Sequence, residues 1–447
     1  MKPIQQLSLF IVVITQVLTA HDLTTVLQEV DSLILHRQHE KAYNLLCKTI
    51  PECTTSKEKV AVAGKLLHIG LHFFDEHKSD HALNTFFSIL SISDQFSSAH
   101  HNIGFVYAEQ LGEFNKAQIS FEKALALKPK DPAIHFCYAI SLLAQGKLVE
   151  GFQEYLWRWQ RGDRKPRNFN TYPLEKQWHG ESLAGKTIVL RAEQGLGDTL
   201  HFIRYAELLY WMGARVIAEV QQSLKPLLSL CPYLQSVISL HEEPPPFDYQ
   251  IPYLDIPTVV HTTLESVPSN VPYLFADQKL EKKWAQFFED KKDTYNIGIC
   301  WHGNSAHTDD KFMPLHCFAE LASIDRVRLF SLQKNGADND EEIALFPLHF
   351  FDDNFDSDSG NFMDTAAVMR HLDLVITVDT SIAHLAGGLG VPVWVALPFP
   401  AEWRWLTCRD DSPWYPTMRL FRQEKRNNWK GVISQMKNAI MQLTCNT

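Results

Sequence analysis

No two cysteines in this 447-residue sequence fall at Cys-x-x-Cys spacing, and the eight present (Cys47, Cys53, Cys137, Cys231, Cys300, Cys317, Cys408 and Cys445) are scattered. That distribution excludes a zinc ribbon and a disulfide scaffold, and buried free thiols are the expected state. Positive charge is not in excess either: 42 Lys and Arg against 52 Asp and Glu give a formal net charge of -10. Affinity for a phosphate backbone rests on clustered cations, so a general nucleic-acid binder is excluded and any phosphate site must be local. Long apolar runs are scarce as well. The exception, Leu7 to Leu18, follows Lys2, precedes Thr19 and Ala20, and is too short for a comfortable membrane span. Residues 1–20 therefore have the shape of a signal peptide or anchor; without such a segment the chain is expected in the cytoplasm.

What remains is ordinary globular material. Hydrophobic residues make up 45% and charged residues 21%, over a length that asks for more than one core.

From His100 to Asp131 the order HHNIGFVYAEQLGEFNKAQISFEKALALKPKD reads as a helix, a Gly turn, a second helix and a Pro stop. Small and aromatic positions recur with a thirty-four-residue period: Gly70, Gly104 and Tyr138 in the first helix, Gly112 and Gly146 in the turn. Ala117 and Gly151, and Phe121 and Tyr155, repeat likewise in the second helix. A fixed period of this length marks stacked units, each too small to bury its own face. These residues resemble the tetratricopeptide repeat, with Pro129 ending the second helix. Ala82 with Phe86, and Ala42 with Leu46, suit earlier units, giving three to four repeats over residues 22–161. Such an array implies a bound peptide or protein. His68 with His72 and His77 with His81 have i,i+4 spacing but lack a third ligand in sequence, so no metal site is expected.

Residues 162–179 turn polar and basic (RGDRKPRNFN) and read as a linker. Beyond it the style changes. Apolar strands are expected at Lys186–Leu190, Ala214–Val220, from Asn296 (NIGICW), and at Arg328–Leu332, Leu374–Val378 and Val391–Leu397. Helices are expected at Thr199–Met212 and near Leu280–Phe288. Alternating strands and helices imply parallel sheets, in two Rossmann-like lobes spanning 180–290 and 291–447. The expected class is thus α followed by α/β, with a cleft at the carboxyl ends of both sheets.

Three segments carry polar groups to that cleft. In the first, the strand IVLRAEQ runs into Gly195-Leu196-Gly197-Asp198-Thr199 and a helix. Its glycines allow close backbone approach, and the helix start offers free N–H groups to an anion. Leu200 stands where the dinucleotide fingerprint needs its third glycine, and no Gly-Lys-Ser/Thr follows, so neither a Rossmann fingerprint nor a Walker loop is present. Asp198 stands where it could deprotonate an acceptor hydroxyl, or where it could cap the helix. In the second, LDLVITV delivers Asp379, Thr380, Ser381 and His384 to another helix start, a set suited to a diphosphate and sugar hydroxyls. The third, His302 to His307 with Lys311, adds donors and one cation.

Residues from about Trp178 to Trp429 resemble bacterial tetratricopeptide-linked glycosyltransferases related to the heptosyltransferase family, of the glycosyltransferase family nine type. The resemblance rests on AEQGLGDTLHFIRY, CWHGNSAH, SLQK, DLVITVDTSIAHLAGGLGVPVWVALP and DSPWYPTMRLFRQ. It implies a GT-B fold whose second lobe binds the nucleotide-sugar donor, and inversion without a bound metal or other cofactor, the nucleotide sugar being a co-substrate. Carried over by position, Asp198 becomes the general base, flanked on the acceptor side by Gly195, Gly197 and Thr199. Asn304, Ser305, Lys311, Asp379, Thr380, Ser381 and His384 become donor contacts. The acceptor is a hydroxyl of a protein or a glycan. The alternative is an inert scaffold whose repeats bind a partner; the acidic pair Asp309 and Asp310, where the resemblance implies arginines, speaks for it.

Overall fold

The computed structural model describes residues 22–162, 172–291, 293–303, 312–334 and 346–444. Residues 1–20 and the loop carrying Asn304, Ser305 and Lys311 lie outside the described residues. The chain divides into two compact units between Ser141 and Leu142.

The first unit is helical. Helices α1 (Asp22–Leu35), α2 (His39–Thr49), α3 (Ser56–Asp75), α4 (Ser79–Ile92), α5 (Ser97–Glu109) and α6 (Phe114–Leu127) form hairpins, and α7 (Pro132–Ala144) begins the next. Their core includes Val30, Ala42, Leu46, Leu66, Phe86 and Ile103. Glycine and aromatic positions of the repeat are matched partners in space: a Cβ on Gly70 would lie 2.4 Å from the Phe86 ring, and one on Gly104 2.8 Å from Phe121. Only glycine lets the two helices of each hairpin close to this spacing.

The second unit opens with α8 (Leu148–Tyr155) and a one-turn helix, Leu156–Gln160. It holds two parallel sheets. The first contains β1 (Thr187–Arg191), β2 (Arg215–Val220), β3 (Leu234–Ser239) and β4 (Tyr249–Pro252) in the order β3-β2-β1-β4. In the second, β5 (Tyr295–Cys300), β6 (Val327–Ser331), β7 (Leu348–His349), β8 (Leu374–Val378), β9 (Val393–Leu397) and β10 (Met418–Arg422) are ordered β10-β9-β8-β5-β6-β7. That is the doubly wound order, in which the chain changes direction between β5 and β8 and ligands lie outside the carboxyl ends of those strands. Every residue of β1, β8 and β9 is buried, as strands covered on both faces require. Two such lobes after helical repeats give the α plus α/β class, with a GT-B type arrangement of sheets.

Each strand expected from sequence lies within two residues of an observed one. The helix expected over Thr199–Met212 instead begins at Leu196 and is interrupted, giving α9 (Leu196–Phe202) and α10 (Arg204–Trp211). The cause is competition for carbonyls. Arg204 Nε donates to the His201 carbonyl at 2.7 Å, and the Tyr273 hydroxyl donates to that of Leu200 at 2.9 Å. Helix α11 (Gln278–Phe287) packs on α12 (Met363–Met369) of the second lobe, where Trp284 Nε1 donates to Asp364 at 2.7 Å. Helices α13 (Ser381–Gly388) and α14 (Trp429–Thr444) complete that lobe, α14 sharing a core with β5 and β8 through Val432, Ile433 and Met436. Among the described residues, no helix is long and apolar enough to cross a membrane.

Candidate active site between the two lobes

Helices α9 and α13 each start at the carboxyl edge of a sheet, after β1 and β8, and the two pack on one another. Gly197 makes the packing possible. A Cβ there would lie 3.1 Å from His384 Cδ2 and 3.7 Å from Ser381 Cα. The two polar segments singled out in the sequence are thereby opposed.

On the α9 side, Gly195 is the N-cap and Asp198 the third helical residue. Asp198 Oδ2 accepts from the Gly195 N–H at 2.9 Å, so the carboxylate does cap the helix, reaching back from within it. Its Oδ1 is ion-paired with Arg404 Nη2, from the turn Trp403–Trp405 of the other lobe. Thr199 is buried and donates to Gln221 Oε1 at 2.9 Å, while Gln221 Nε2 donates to the Gln194 carbonyl at 2.8 Å and fixes the loop.

The α13 side is built from the switch point of the second sheet. Thr380 is the N-cap of α13, its Oγ1 accepting from Ile382 N–H at 3.2 Å. That hydroxyl also lies 3.0 Å from Thr377 Oγ1 and 3.9 Å from the Cys300 thiol at the end of β5. Burial pushes the Cys300 thiol up from its ordinary range, so it is a neutral packing group. Asp379 and Ser381 are half-buried on either side of the cap.

His384 faces Gly197 and is held by Tyr415, whose hydroxyl lies 2.8 Å from His384 Nδ1 and 3.0 Å from His201 Nδ1. One hydroxyl hydrogen serves at most one imidazole, so at least one of the two rings presents its own Nδ1–H to the phenol oxygen. Burial, then Arg204, His384 and Arg404, push the His201 value well below its usual one, leaving it neutral. Trp405 stacks on His384 at 5.4 Å between centroids. Trp403 and Trp414 are likewise buried in the aromatic packing between the lobes.

A second cluster closes the carboxyl edge of the first sheet. Arg158, just after α8, is bidentate to Glu193 at 2.8 and 3.1 Å and reaches Asp255 Oδ1 at 2.5 Å. Trp159 Nε1 donates to the same aspartate at 3.1 Å, and Gln194 Nε2 donates to the Tyr155 hydroxyl at 3.0 Å. Burial opposes the Arg158 charge, but Asp255 and Glu193 outweigh it, so the guanidinium titrates above its ordinary range. Glu193 is pushed up, first by burial, against the pull of Arg158.

Of the residues singled out in sequence, Gly195, Gly197, Asp198, Thr199, Asp379, Thr380, Ser381 and His384 are thus brought to the meeting of α9 and α13. Asn304, Ser305 and Lys311 lie outside the described residues. Arg404, Tyr415, His201 and Arg204 escaped the sequence reading. The two last sit inside AEQGLGDTLHFIRY, and Tyr415 inside DSPWYPTMRLFRQ; the contacts that join them across the lobes, His201 with Tyr415, Arg204 with Trp414 and Arg404 with Asp198, each span more than two hundred residues. Among the described residues, no group of three or more His, Cys, Asp and Glu is arranged to hold a metal ion. His72, for instance, stacks on His39 at 3.5 Å and pairs with Glu76 at 3.1 Å.

No protein-family model matches the chain. Among curated proteins it is similar to Protein FlbA of Caulobacter vibrioides, 26% identical over 380 residues, covering 78% of this chain. The chain spans 62% of the length of that relative. Among solved structures it is similar to the glycosyl transferase family 9 from Veillonella parvula DSM 2008, at 13% identity and a TM-score of 0.46, over 60% of this chain and 100% of that one. It is also similar to MamA, at 20% identity and a TM-score of 0.27, over 34% of this chain and 85% of that one.

Proposed function

We propose that the chain is a glycosyltransferase that moves a sugar from a nucleotide-sugar donor to a hydroxyl of a protein or glycan, with inversion and without a metal. One observation carries the reading: α9 and α13, starting at the carboxyl edges of two different parallel sheets, are opposed across Gly197 and His384. Two helix starts and the groups around them converge where charge changes during glycosyl transfer. Asp198 takes the acceptor proton as general base, and the start of α13, with Asp379, Thr380, Ser381 and His384, holds the diphosphate and sugar of the donor. Asn304, Ser305 and Lys311 complete the donor side. The repeats select the acceptor by binding a peptide or protein, and residues 1–20 direct the chain to export or to a membrane.

A second reading, an inert scaffold, has its own support. Asp198, Thr380 and His384 all have partners within the protein. Calorimetric titration of the full chain with nucleoside diphosphates and nucleotide sugars, without metal, separates the two. Saturable binding of one nucleotide class supports the transferase; no heat across a broad panel moves the assignment to the scaffold.

A further inference from the structure

Arg404 is a cation of this site with carboxylates beside it. Its Nη2 is paired with Asp198 of the first lobe and its Nη1 with Glu402 of its own turn. Burial disfavours the charge, yet Glu402, Asp198 and, further off, Asp379 more than compensate, so the guanidinium titrates above its ordinary range. It is 8% exposed, stacks on Trp403 with 4.4 Å to the centroid, and its Nε is buried without an acceptor. The turn that carries it lies on α13 through the Trp405–His384 stack, and its partner Asp198 adjoins Gly197, which approaches Ser381. A guanidinium with a spare buried donor therefore lies beside the helix start assigned to the donor.

We propose that the Asp198–Arg404 pair is a latch between the lobes, in which the Asp198 carboxylate and the donor diphosphate compete for one guanidinium. The inference rests on the transferase reading and adds an order of events to it. While Oδ1 is on Arg404 and Oδ2 on the Gly195 N–H, both carboxylate oxygens of Asp198 are engaged. A diphosphate at the start of α13 offers Arg404 a more highly charged, bidentate partner. As the guanidinium turns to it, Oδ1 is released to accept the proton of an acceptor hydroxyl. Donor binding thus frees the base, and a chain without donor keeps it tied. Arg404 is a positioning residue in this scheme, acting through Asp198 and the diphosphate.

Competition has a sign that a purely structural ion pair lacks: by linkage, removing one competitor must strengthen the other. The test measures binding of inorganic pyrophosphate, and of the nucleoside diphosphate found in the panel, to the full chain. Asp198→Asn should tighten both by about tenfold, within the usual range of coupling between sites. Arg404→Gln should weaken both by a similar factor, with Arg404→Lys intermediate because it keeps the charge and loses the fork. The double variant should bind like Arg404→Gln alone. Should Asp198→Asn fail to fold, Glu402→Gln removes the other competitor and should also tighten binding. Unchanged or weaker binding in Asp198→Asn overturns the latch, and so does a gain that persists in the Arg404→Gln background, since the carboxylate would then act by its field alone. In either case wild-type binding leaves the transferase reading standing. If neither the wild type nor any variant binds these anions or any nucleotide sugar, latch and transferase reading fall together.

Discussion

The two sheets of the second unit treat their carboxyl edges in opposite ways. At the first, where β1 and β4 part, the chain fills the crevice with its own residues: Arg158 and Trp159, delivered by the segment after α8, lie on Glu193 and Asp255. At the second, where β5 and β8 part, the described residues include small and mildly polar ones, Cys300, Thr377 and Thr380, with Asp379 and Ser381 half-buried beside them. A buried ion cluster is satisfied only by its own members, and taking one away leaves uncompensated charge. Hydroxyls and a helix start can exchange partners at far smaller cost. The first edge is closed by the chain's own charges, whereas hydroxyls and a helix start line the second, and the proposed placement of the donor on the second lobe rests on that difference.

The strongest test of that contrast is Arg158→Met. It leaves the carboxylates of Glu193 and Asp255 facing each other without a cation, and the loss should be about 3–5 kcal/mol. All eleven tryptophans of the chain follow Ser141, so tryptophan fluorescence in urea reports the second unit alone. A loss below about 1 kcal/mol would mean that the cluster behaves as surface charge. The pH dependence has a definite sign. Glu193 is already pushed up by burial, and the variant raises it further, so the folded state binds a proton that the unfolded state releases. Stability of the variant should recover as pH falls through the raised value towards the unfolded one, about 4.3.

A smaller effect is expected at the glycines of the two opposed helices, Gly387 of α13 and the α9 cap Gly195. An alanine Cβ at position 387 would lie 2.4 Å from the Tyr415 ring, which must then shift and loosen both His384 and His201. Gly387→Ala should cost about 1–3 kcal/mol by overpacking. Gly195→Ala meets only Asp198 Oδ2, at 3.4 Å, with φ at -72°, and should be tolerated within about 0.5 kcal/mol. Equal losses in the two variants, read in the same urea experiment, would remove Tyr415 as the anchor of His384.

The same contrast explains what could be read from the sequence. Local patterns were legible because their causes are local. Gly104 and Phe121 lie on the two helices of one hairpin and meet, and the apolar runs of β1, β8 and β9 are buried along their whole length. The first two repeats are fainter for a definite reason. Their turns place Arg37 and His77 at φ 57° and 56°, where the later hairpins have Gly112 and Gly146. A non-glycine residue accepts that conformation at a cost of about 1 kcal/mol, and the glycine signal disappears. In the site, Asp198 and the Asp379–His384 segment were visible because strand–turn–helix geometry is written in consecutive residues. Arg404 and Tyr415 were not, because nothing near them in sequence records that they end against Asp198 and His201 of the other lobe.

The smallest predicted change bears on function most directly. Thr380→Ala removes the side-chain acceptor that caps α13 at Ile382, which should cost about 1 kcal/mol in the urea transition, while Thr380→Ser keeps the cap and nearly all the stability. If the hydroxyl only caps the helix, loss of stability is the whole effect and nucleotide binding follows it no further. If the start of α13 holds a diphosphate, Thr380→Ala also removes a contact and frees the first turn to fray, so affinity for the nucleoside diphosphate should fall by about tenfold under conditions where the chain is fully folded. Thr380→Ser should restore it. Loss of stability with unchanged affinity would detach the anion site from α13 and erase the difference between the two edges.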